Sequence, residues 1–363
     1  MSNLSSRRFL QVFGVIFLLA ACSCNAAGRL DRPENAEDGN VTALLTSRFR
    51  GSEYDLVEIP LPEELAAAQM EYSGLAWYRQ ELILLPQYPN GISGDREGQL
   101  FAVSADNLLE YLTEGNIDIT VRLIPFDDGG LSEKLDGFEG FESLVFIGDF
   151  IYLTIETHGG NPMKAFVVKG MLKTSASLIN AVVLDGASLT ELPVQNSSRN
   201  ASYEALTTDG QYIYALYEQN GVKQNPAPFA IRLDADLNNY QEIPMDALNY
   251  RLTDATVMDQ EGIFWVMNYF FPGDSHLAVK QDPLAARYGL GESHHLSEPV
   301  ERLVKFRSTS ERIELLDEAP LYLSLLDNGD ARNWEGLANL EDLGFLLITD
   351  SFPESIFGFL AFK

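Results

Sequence analysis

Short apolar runs separated by polar turns recur along most of the chain. In each recurrence a Ser, Glu or Asp precedes a first apolar strand, and a turn such as Asp209-Gly210 leads to a second one. Runs of this kind, bounded by turn residues, are typical of buried β-strands. Recurrence of one supersecondary unit predicts a repeat architecture. The recurrences begin at Ser73, Glu142, Glu204, Asp254 and Glu335.

In each of the first four recurrences, two further strand-like runs follow the first two strands. In the fifth recurrence, only one such run follows. An additional alternating strand at 54–59 precedes the first unit. β-Propellers close in this way, because a strand from one terminus completes the blade at the other. We therefore predict a five-bladed β-propeller over residues 49–363, with its last blade closed by the N-terminal strand. Six blades remain an alternative if the long interval between Asp254 and Glu335 contains a degenerate blade.

Helical periodicity is weak outside two short segments, residues 62–70 and 283–288. These two segments are therefore the only candidates for helices in the sequence.

The first 21 residues have the pattern of a targeting signal. Arg7-Arg8 precede an apolar segment at 9–21 that is short for a membrane span. Leu19-Ala20-Ala21-Cys22 resembles a bacterial lipobox, which implies a lipoprotein signal peptide at 1–21 and lipidation of Cys22. Ser23 in place of Asp then implies the outer membrane of a Gram-negative cell. An ordinary secretory signal with a chance Cys is the alternative.

Residues 22–48 are rich in Gly, Asn, Asp, Glu and Ala and lack apolar periodicity, which predicts a flexible tether to the membrane. The chain has 53 acidic and 25 basic residues, and its formal net charge is -28. This balance argues against nucleic acid as a partner, because phosphates require a basic surface. It favours cations as partners, although a merely solvated acidic surface gives the same composition.

Alignment of the five units places Ser73, Glu142, Glu204, Asp254 and Glu335 at one position, just before the strand nearest the axis. Five blades would aim these side chains at one point. Two carboxylates ~5 Å apart at an effective dielectric of ~20 repel by about 3 kcal/mol, so protons or a cation must compensate. Oxygen ligands without His or Cys suit calcium. The alternative is that these acids cap turns between blades.

A second polar ring is predicted where the hairpins return to the same face. Glu156, Glu218 and Asp350 in this ring are candidate catalytic bases, and His158 on the following loop is a candidate acid or base. Loop polarity alone is the competing interpretation. The ring comprises Gln87, Glu156, Glu218, Asn268 and Asp350.

Three motifs carry a resemblance to known families. Phe138-Glu139-Gly140-Phe141-Glu142-Ser143-Leu144, Tyr203-Glu204-Ala205-Leu206 and Asn333-Trp334-Glu335-Gly336-Leu337-Ala338 resemble the repeats of the esterase-like phytase family. The order Ser, Glu, Glu, Asp, Glu is similar to the central calcium ligands of calcium-dependent apyrases, which are five-bladed propellers. The resemblance implies a calcium-centred propeller, with Asp254 where those proteins have a Ser.

These observations leave three hypotheses for the function. The first is a metal-dependent hydrolase of phosphate esters or anhydrides, for which Arg96, Lys164 and Arg332 are the candidate phosphate ligands. The second is a non-enzymatic scaffold with a structural calcium that contacts an envelope protein or glycan. The third is a sugar-processing propeller with paired carboxylates. The sequence contains no G-x-S-x-G elbow, P-loop or metal-spaced Cys/His set.

Overall fold

The computed structural model describes residues 49–362 except 51–52, 68–69, 92–97, 116, 159–162, 199–200 and 352–353. The predicted signal peptide at 1–21, Cys22 and the tether through residue 48 lie outside the described residues, as does Arg96. Among the described residues, no helix is long and apolar enough to cross a membrane.

Most of the regular secondary structure of the described chain consists of short strands in antiparallel pairs, which we group into five units. Before unit one lie β1 (Phe49–Arg50), β2 (Glu53–Tyr54) and β3 (Val57–Glu58). Unit one contains β4 (Tyr72–Tyr78), β5 (Glu81–Pro86), β6 (Gly98–Ser104) and β7 (Val121–Asp127). Unit two contains β8 (Phe138–Ile147), β9 (Phe150–Thr157), β10 (Lys164–Ser175), β11 (Leu178–Leu184) and β12 (Thr190–Leu192).

The remaining units follow in the same order along the chain. Unit three contains β13 (Ala205–Thr208), β14 (Tyr212–Leu216), β15 (Phe229–Asp234) and β16 (Tyr240–Pro244). Unit four contains β17 (Arg251–Ala255), β18 (Ile263–Phe270), β19 (Val300–Ser308), β20 (Ile313–Leu315) and β21 (Leu321–Leu323). Unit five contains β22 (Trp334–Leu340), β23 (Gly344–Thr349) and β24 (Phe357–Ala361).

These strands form four sheets rather than the five separate blades that the sequence predicts. Units one and two share a nine-stranded sheet, because β11 pairs in parallel with β7 where Val182 lies opposite Phe126. The long β10–β11 hairpin reaches the outer edge of unit one, while β12 takes the place beside β10. The β7–β11 pairing therefore joins units one and two into one sheet. The other strands of each unit pair antiparallel within their own unit.

The N-terminal strand closes the last unit, as predicted. Residues 57 and 58 in β3 pair antiparallel with β24, where Val57 lies opposite Phe359. The predicted strand at 54–59 is divided, however, because Tyr54 in β2 pairs in parallel with Leu323 of unit four. The N-terminal segment therefore joins unit four to unit five.

The first strands of the units form a closed circuit. β4 contacts β8, β8 contacts β13, β13 contacts β17, β17 contacts β22, and β22 returns to contact β4. The five largest apolar clusters lie between consecutive units, and one of them packs Leu75 of unit one against Leu346 of unit five. The core is therefore divided among the interfaces between units around a common axis, as in a β-propeller.

Helices are short and peripheral. The predicted segment 283–288 is α3 (Pro283–Tyr288), which begins with a proline and is capped by Asp282. The structure also contains α1 (Ala105–Glu114), which the sequence analysis missed, and α2 (Leu131–Lys134). Ser104 caps α1 and Gly115 ends it with φ 69°, so its start and stop signals were present in the sequence. The segment 62–67 forms turns and no helix.

Candidate cation site at the axis

Three of the predicted ring residues occupy a β-bulge in the first strand of their units, and Glu204 lies just before β13. In β4, Tyr72 pairs with Pro86 and Gly74 with Leu85, so Ser73 has no residue opposite it. The same irregularity occurs at Glu142 in β8 and at Glu335 in β22. A bulge inserts one extra residue and re-aims its side chain. The backbone of these strands therefore presents the ring side chains out of register with their neighbours.

Unit four has Thr253, and not Asp254, at this position. The register of β17 shifts between Leu252 and Ala255. The Thr253 hydroxyl donates to the carbonyl of Trp334 in the next unit, and the Ser73 hydroxyl donates to the carbonyl of Phe141 in the same way. The sequence alignment was therefore shifted by one residue in unit four. It aligned Asp254 with the acids of the other units, whereas the equivalent residue is Thr253, whose hydroxyl corresponds to that of Ser73.

Asp254 takes the position after the bulge, deeper in the ring. Its Oδ2 accepts hydrogen bonds from the backbone N–H of Leu337 at 2.7 Å and of Leu75 at 3.4 Å. Its Oδ1 accepts from Ala255 N at 2.8 Å and from the Ser143 hydroxyl at 3.4 Å. Burial raises the pKa of Asp254 well above its ordinary value, against these hydrogen bonds. Asp254 therefore links four of the five units and has no unused oxygen.

Four other acids form what we call the axial acid cluster, namely Glu142, Glu156, Glu204 and Glu335. The first three are buried, and Glu335 is partly buried. Gln87 Nε2 donates to Glu142 Oε1 at 3.1 Å. The cluster unites three residues of the predicted metal ring with Glu156 of the second ring.

The carboxyl groups of this cluster resist ionisation. Burial is the largest cause, and it raises the pKa of Glu142 to about 8, of Glu156 to about 9 and of Glu204 to about 7. The charge of Glu204 further raises the pKa of Glu142 and Glu156, and burial and then Glu204 raise the pKa of Glu335 well above its ordinary value. At neutral pH the cluster must therefore retain protons or acquire a cation.

Arg251, the residue at the start of β17, supplies a positive charge to this region. Its Nη1 donates to Glu218 Oε1, and its Nε donates to Asp274 Oδ2 at 2.8 Å. Its charge lowers the pKa of Glu204 and of Glu335. Arg251 was not among the predicted site residues, because a single arginine at the start of a strand carries no repeat signal.

Two acids in this region have a buried oxygen without a hydrogen-bond partner among the described residues. These oxygens are Oε2 of Glu218, which binds Arg251, and Oε1 of Glu156, which belongs to the cluster. Buried polar atoms are nearly always paired, so an unpaired one requires an explanation such as a water or an ion. Within the part of the chain that the structure describes, no three Asp, Glu, His or Cys side chains are arranged to hold a metal ion as they stand. The oxygen-only donor set and its excess negative charge suit a hard cation.

Asp350 and His158, two other predicted catalytic residues, are not members of the cluster. Asp350 accepts a hydrogen bond from Asn333 Nδ2 at 2.8 Å, and its charge contributes to the raised pKa of Glu335. His158 is 45% exposed, with its Nδ1 3.4 Å from Glu139 Oε1. In unit four the second-ring position belongs to Tyr269, which pairs with Arg251, and not to Asn268.

The candidate phosphate ligands are engaged elsewhere. Lys164 Nζ lies 3.2 Å from Glu191 Oε2 at an exposed position on β10. The buried Arg332 binds Glu301 through Nε and Nη2. Neither residue offers a free cation to a phosphate at the axis.

The fold and the site together define an all-β, propeller-like protein with a buried acid cluster at its axis. No family model and no curated protein sequence matches the chain.

Solved structures resemble the chain only distantly. The soluble aldose sugar dehydrogenase of Escherichia coli is 10% identical with a TM-score of 0.42, over 82% of this chain and 98% of that one. A glycosyl hydrolase from Bacteroides ovatus is 11% identical with a TM-score of 0.42, over 92% and 94%. The periplasmic gluconolactonase of Pseudomonas aeruginosa is 12% identical with a TM-score of 0.36, over 76% and 68%. Similarity at this level transfers no activity to the present chain.

Proposed function

We propose that the chain is a five-bladed propeller, with units one to five as its blades, whose axial acid cluster binds a calcium ion. The observation that carries this proposal is the excess of buried carboxyl groups over cations at the axis. Glu218 and Asp274 bind the guanidinium of Arg251, and its charge also acts on Glu156, Glu204 and Glu335. Glu142, which interacts with Glu204, is the sixth carboxyl group of this region. A single arginine cannot balance six carboxyl groups, so the remaining charge requires protons or a further cation.

Calcium suits these donors better than zinc. The bulge positions offer carboxylates from Glu142 and Glu335 and hydroxyl oxygens from Ser73 and Thr253, and Glu204 offers a further carboxylate just before β13. Calcium accepts six to eight oxygen ligands in irregular geometry, whereas zinc prefers nitrogen and sulphur. The proposal includes a turn of the three glutamate side chains toward the axis when the ion binds.

Calcium titration of the mature chain tests the proposal. We expect calorimetric binding of calcium and a rise in Tm that is lost when Glu204→Gln or Glu335→Gln removes a ligand charge. Glu261→Gln, at an exposed turn, is the matched control and should retain the full rise. If calcium leaves Tm and heat unchanged while the axial Gln variants are more stable than wild type, the cluster is neutralised by protons and the proposal fails.

Hydrolysis of phosphate esters or anhydrides at this site is the second candidate function. Glu156 favours it, because burial raises the pKa of this carboxyl to about 9 in the ion-free protein and so favours the protonated form that a general acid requires. When bound, calcium would supply polarisation of a phosphoryl oxygen and activation of a water. Glu156 would hold a proton for the leaving group, and Asp350, whose charge acts on Glu335, would accept a proton from the attacking water.

Turnover measurements separate the hydrolase from a scaffold. Phytate, nucleotides and aryl phosphates would be offered with calcium or with a chelator. Calcium-dependent release of phosphate that falls at least about 100-fold in Glu156→Gln supports the enzyme. Calcium binding without any turnover supports a scaffold that contacts an envelope protein or glycan.

We also propose that Cys22 is lipidated and tethers the protein to the outer membrane. The lipobox-like sequence before Cys22 supports this proposal. Metabolic labelling with a radioactive fatty acid should label the wild-type chain and not Cys22→Ser. Equal labelling of both chains, or recovery of wild type only in the soluble fraction, would contradict it.

A further inference from the structure

We infer that Arg251 is a resident cation that competes with a bound metal ion for the axial acid cluster and so sets the affinity of the site. The inference rests on the proposed function, because it requires that the cluster binds a cation. It concerns a residue that lies outside the predicted ligand ring and that carries a permanent positive charge.

The residue before Arg251 has a strained backbone. Tyr250 has φ 73°, a left-handed conformation that bulky residues rarely adopt. Its ring packs 4.7 Å from that of Phe270, so the surrounding structure holds this conformation in place. Strain of this kind at a single residue is often retained where it positions a functional neighbour.

Arg251 interacts with two sets of acids at once. Glu218 and Asp274 hold the guanidinium through hydrogen bonds, and the side chain of Arg251 is only 13% exposed. Its charge also acts on Glu204 and Glu335, which offer it no hydrogen bond in the described structure. The guanidinium therefore partly neutralises two predicted ligands without coordinating them.

This arrangement has a direct electrostatic consequence. A unit positive charge near a buried site repels a divalent cation and weakens its binding. Since an arginine does not lose its proton in proteins, the competition persists at every physiological pH. The coupling is reciprocal, so a bound ion must also weaken the interaction of Arg251 with Glu204 and Glu335.

Calorimetric titration with calcium tests the inference on three variants of the mature chain. Arg251→Met should bind calcium at least about tenfold more tightly than wild type, because the repelling charge is gone. Arg251→Lys retains the charge and should stay within about threefold of wild type. Arg232→Met, which removes a charge from β15 where Arg232 bonds Gln241, controls for net charge and should change affinity by less than about twofold.

A second test uses NMR spectroscopy of the wild-type chain, so its result does not depend on the stability of a charge-removing variant. The side-chain Nε–H signal of Arg251, assigned by its loss in Arg251→Lys, should shift as calcium is added. The corresponding signal of Arg302, which binds Asn268 and Asp282, should not shift.

The outcomes distinguish the two proposals. If wild type binds calcium but Arg251→Met does not bind it more tightly, or the Arg251 signal stays fixed, the inference is wrong and the calcium site stands. If Arg251→Met binds calcium and wild type does not, the arginine already fills the site, and the proposed function fails while the inference holds. If neither chain binds calcium, both fail.

Discussion

Two groups of buried charges in this protein differ in how fully they are paired. In the first group, Glu301 Oε1 accepts from Arg332 N, and Oε2 accepts from Arg332 Nε, Arg332 Nη2 and Trp334 Nε1, at distances of 2.7–3.0 Å. In the second group, the axial acid cluster, Glu156 retains a buried oxygen without a partner among the described residues. Both groups are withdrawn from solvent, so burial alone does not distinguish them.

The buried pair of His294 and Glu53 next to unit four also has its hydrogen bonds filled. His294 Nδ1 lies 2.6 Å from Glu53 Oε1, and His294 Nε2 accepts from Glu301 N at 3.2 Å. This arrangement places the proton of a neutral imidazole on Nδ1, and burial lowers the pKa of His294. The pair fastens the loop before β19 to the N-terminal strand β2.

The difference identifies what each group does. A carboxylate with a matched cation and filled hydrogen bonds has no capacity left for a ligand, and removing one partner of such a buried pair destabilises the fold. Carboxyl groups in excess over cations, with unpaired oxygens, raise the free energy of the empty site. A bound cation can lower this free energy. The variants below test this contrast, in order of decreasing effect.

Glu301→Gln should destabilise the fold most. It removes the charge that compensates the buried Arg332, and breaking one partner of a buried pair costs about 3–5 kcal/mol. Urea denaturation of wild type and variant measures the loss, and the exposed Glu311→Gln is the control. A loss below about 1 kcal/mol would mean that the unit-four group is not structural.

Asp254→Ala should have the next largest effect. The backbone N–H groups of Leu75 and Leu337 would lose their acceptor inside the ring, at a cost of about 2–4 kcal/mol for the two together. The free energy of unfolding in a chelator measures it. Asp254→Ala with unchanged stability and abolished calcium binding would instead make Asp254 a ligand.

Glu142→Gln should stabilise the calcium-free protein at alkaline pH. The folded-state pKa of Glu142 is raised to about 8 from 4.5, so its stabilising protonation is complete below pH 4.5 and lost as pH rises through 8. In a chelator the free energy of unfolding of wild type should therefore fall between pH 5 and pH 9.

At pH 9 in a chelator, we expect the free energy of unfolding of Glu142→Gln to exceed that of wild type by about 1–2 kcal/mol. Calcium should remove the decline with pH in wild type but not in the variant. A wild-type profile that is flat in chelator would show that the axial carboxyls are not held neutral.

Thr253→Val and Ser73→Ala should have the smallest and nearly equal effects. Each removes one hydroxyl that donates to a carbonyl of the next unit, which is worth about 0.5–1.5 kcal/mol. Equal losses in thermal unfolding would support the equivalence of Thr253 and Ser73. A loss in Ser73→Ala alone would favour the original alignment with Asp254.

Much of this site was predictable because it repeats. Glu142, Glu204 and Glu335 precede similar apolar strands, and repetition brought them to one position without knowledge of the fold. Thr253 was mistaken because sequence alignment favours an acid over a hydroxyl, while the bulge in β17 depends on backbone pairing. Arg251 was missed because its partners Glu218 and Asp274 are distant in sequence.

The sequence by itself determined the five strand units, the closing N-terminal strand and the positions of most axial acids, because local polarity patterns decide which residues form strands and turns. The tertiary structure alone decided the fusion of units one and two through β7 and β11, the register of β17 and the approach of Arg251 to the acids. These features depend on pairings between residues far apart in the chain, which leave no periodic pattern along it.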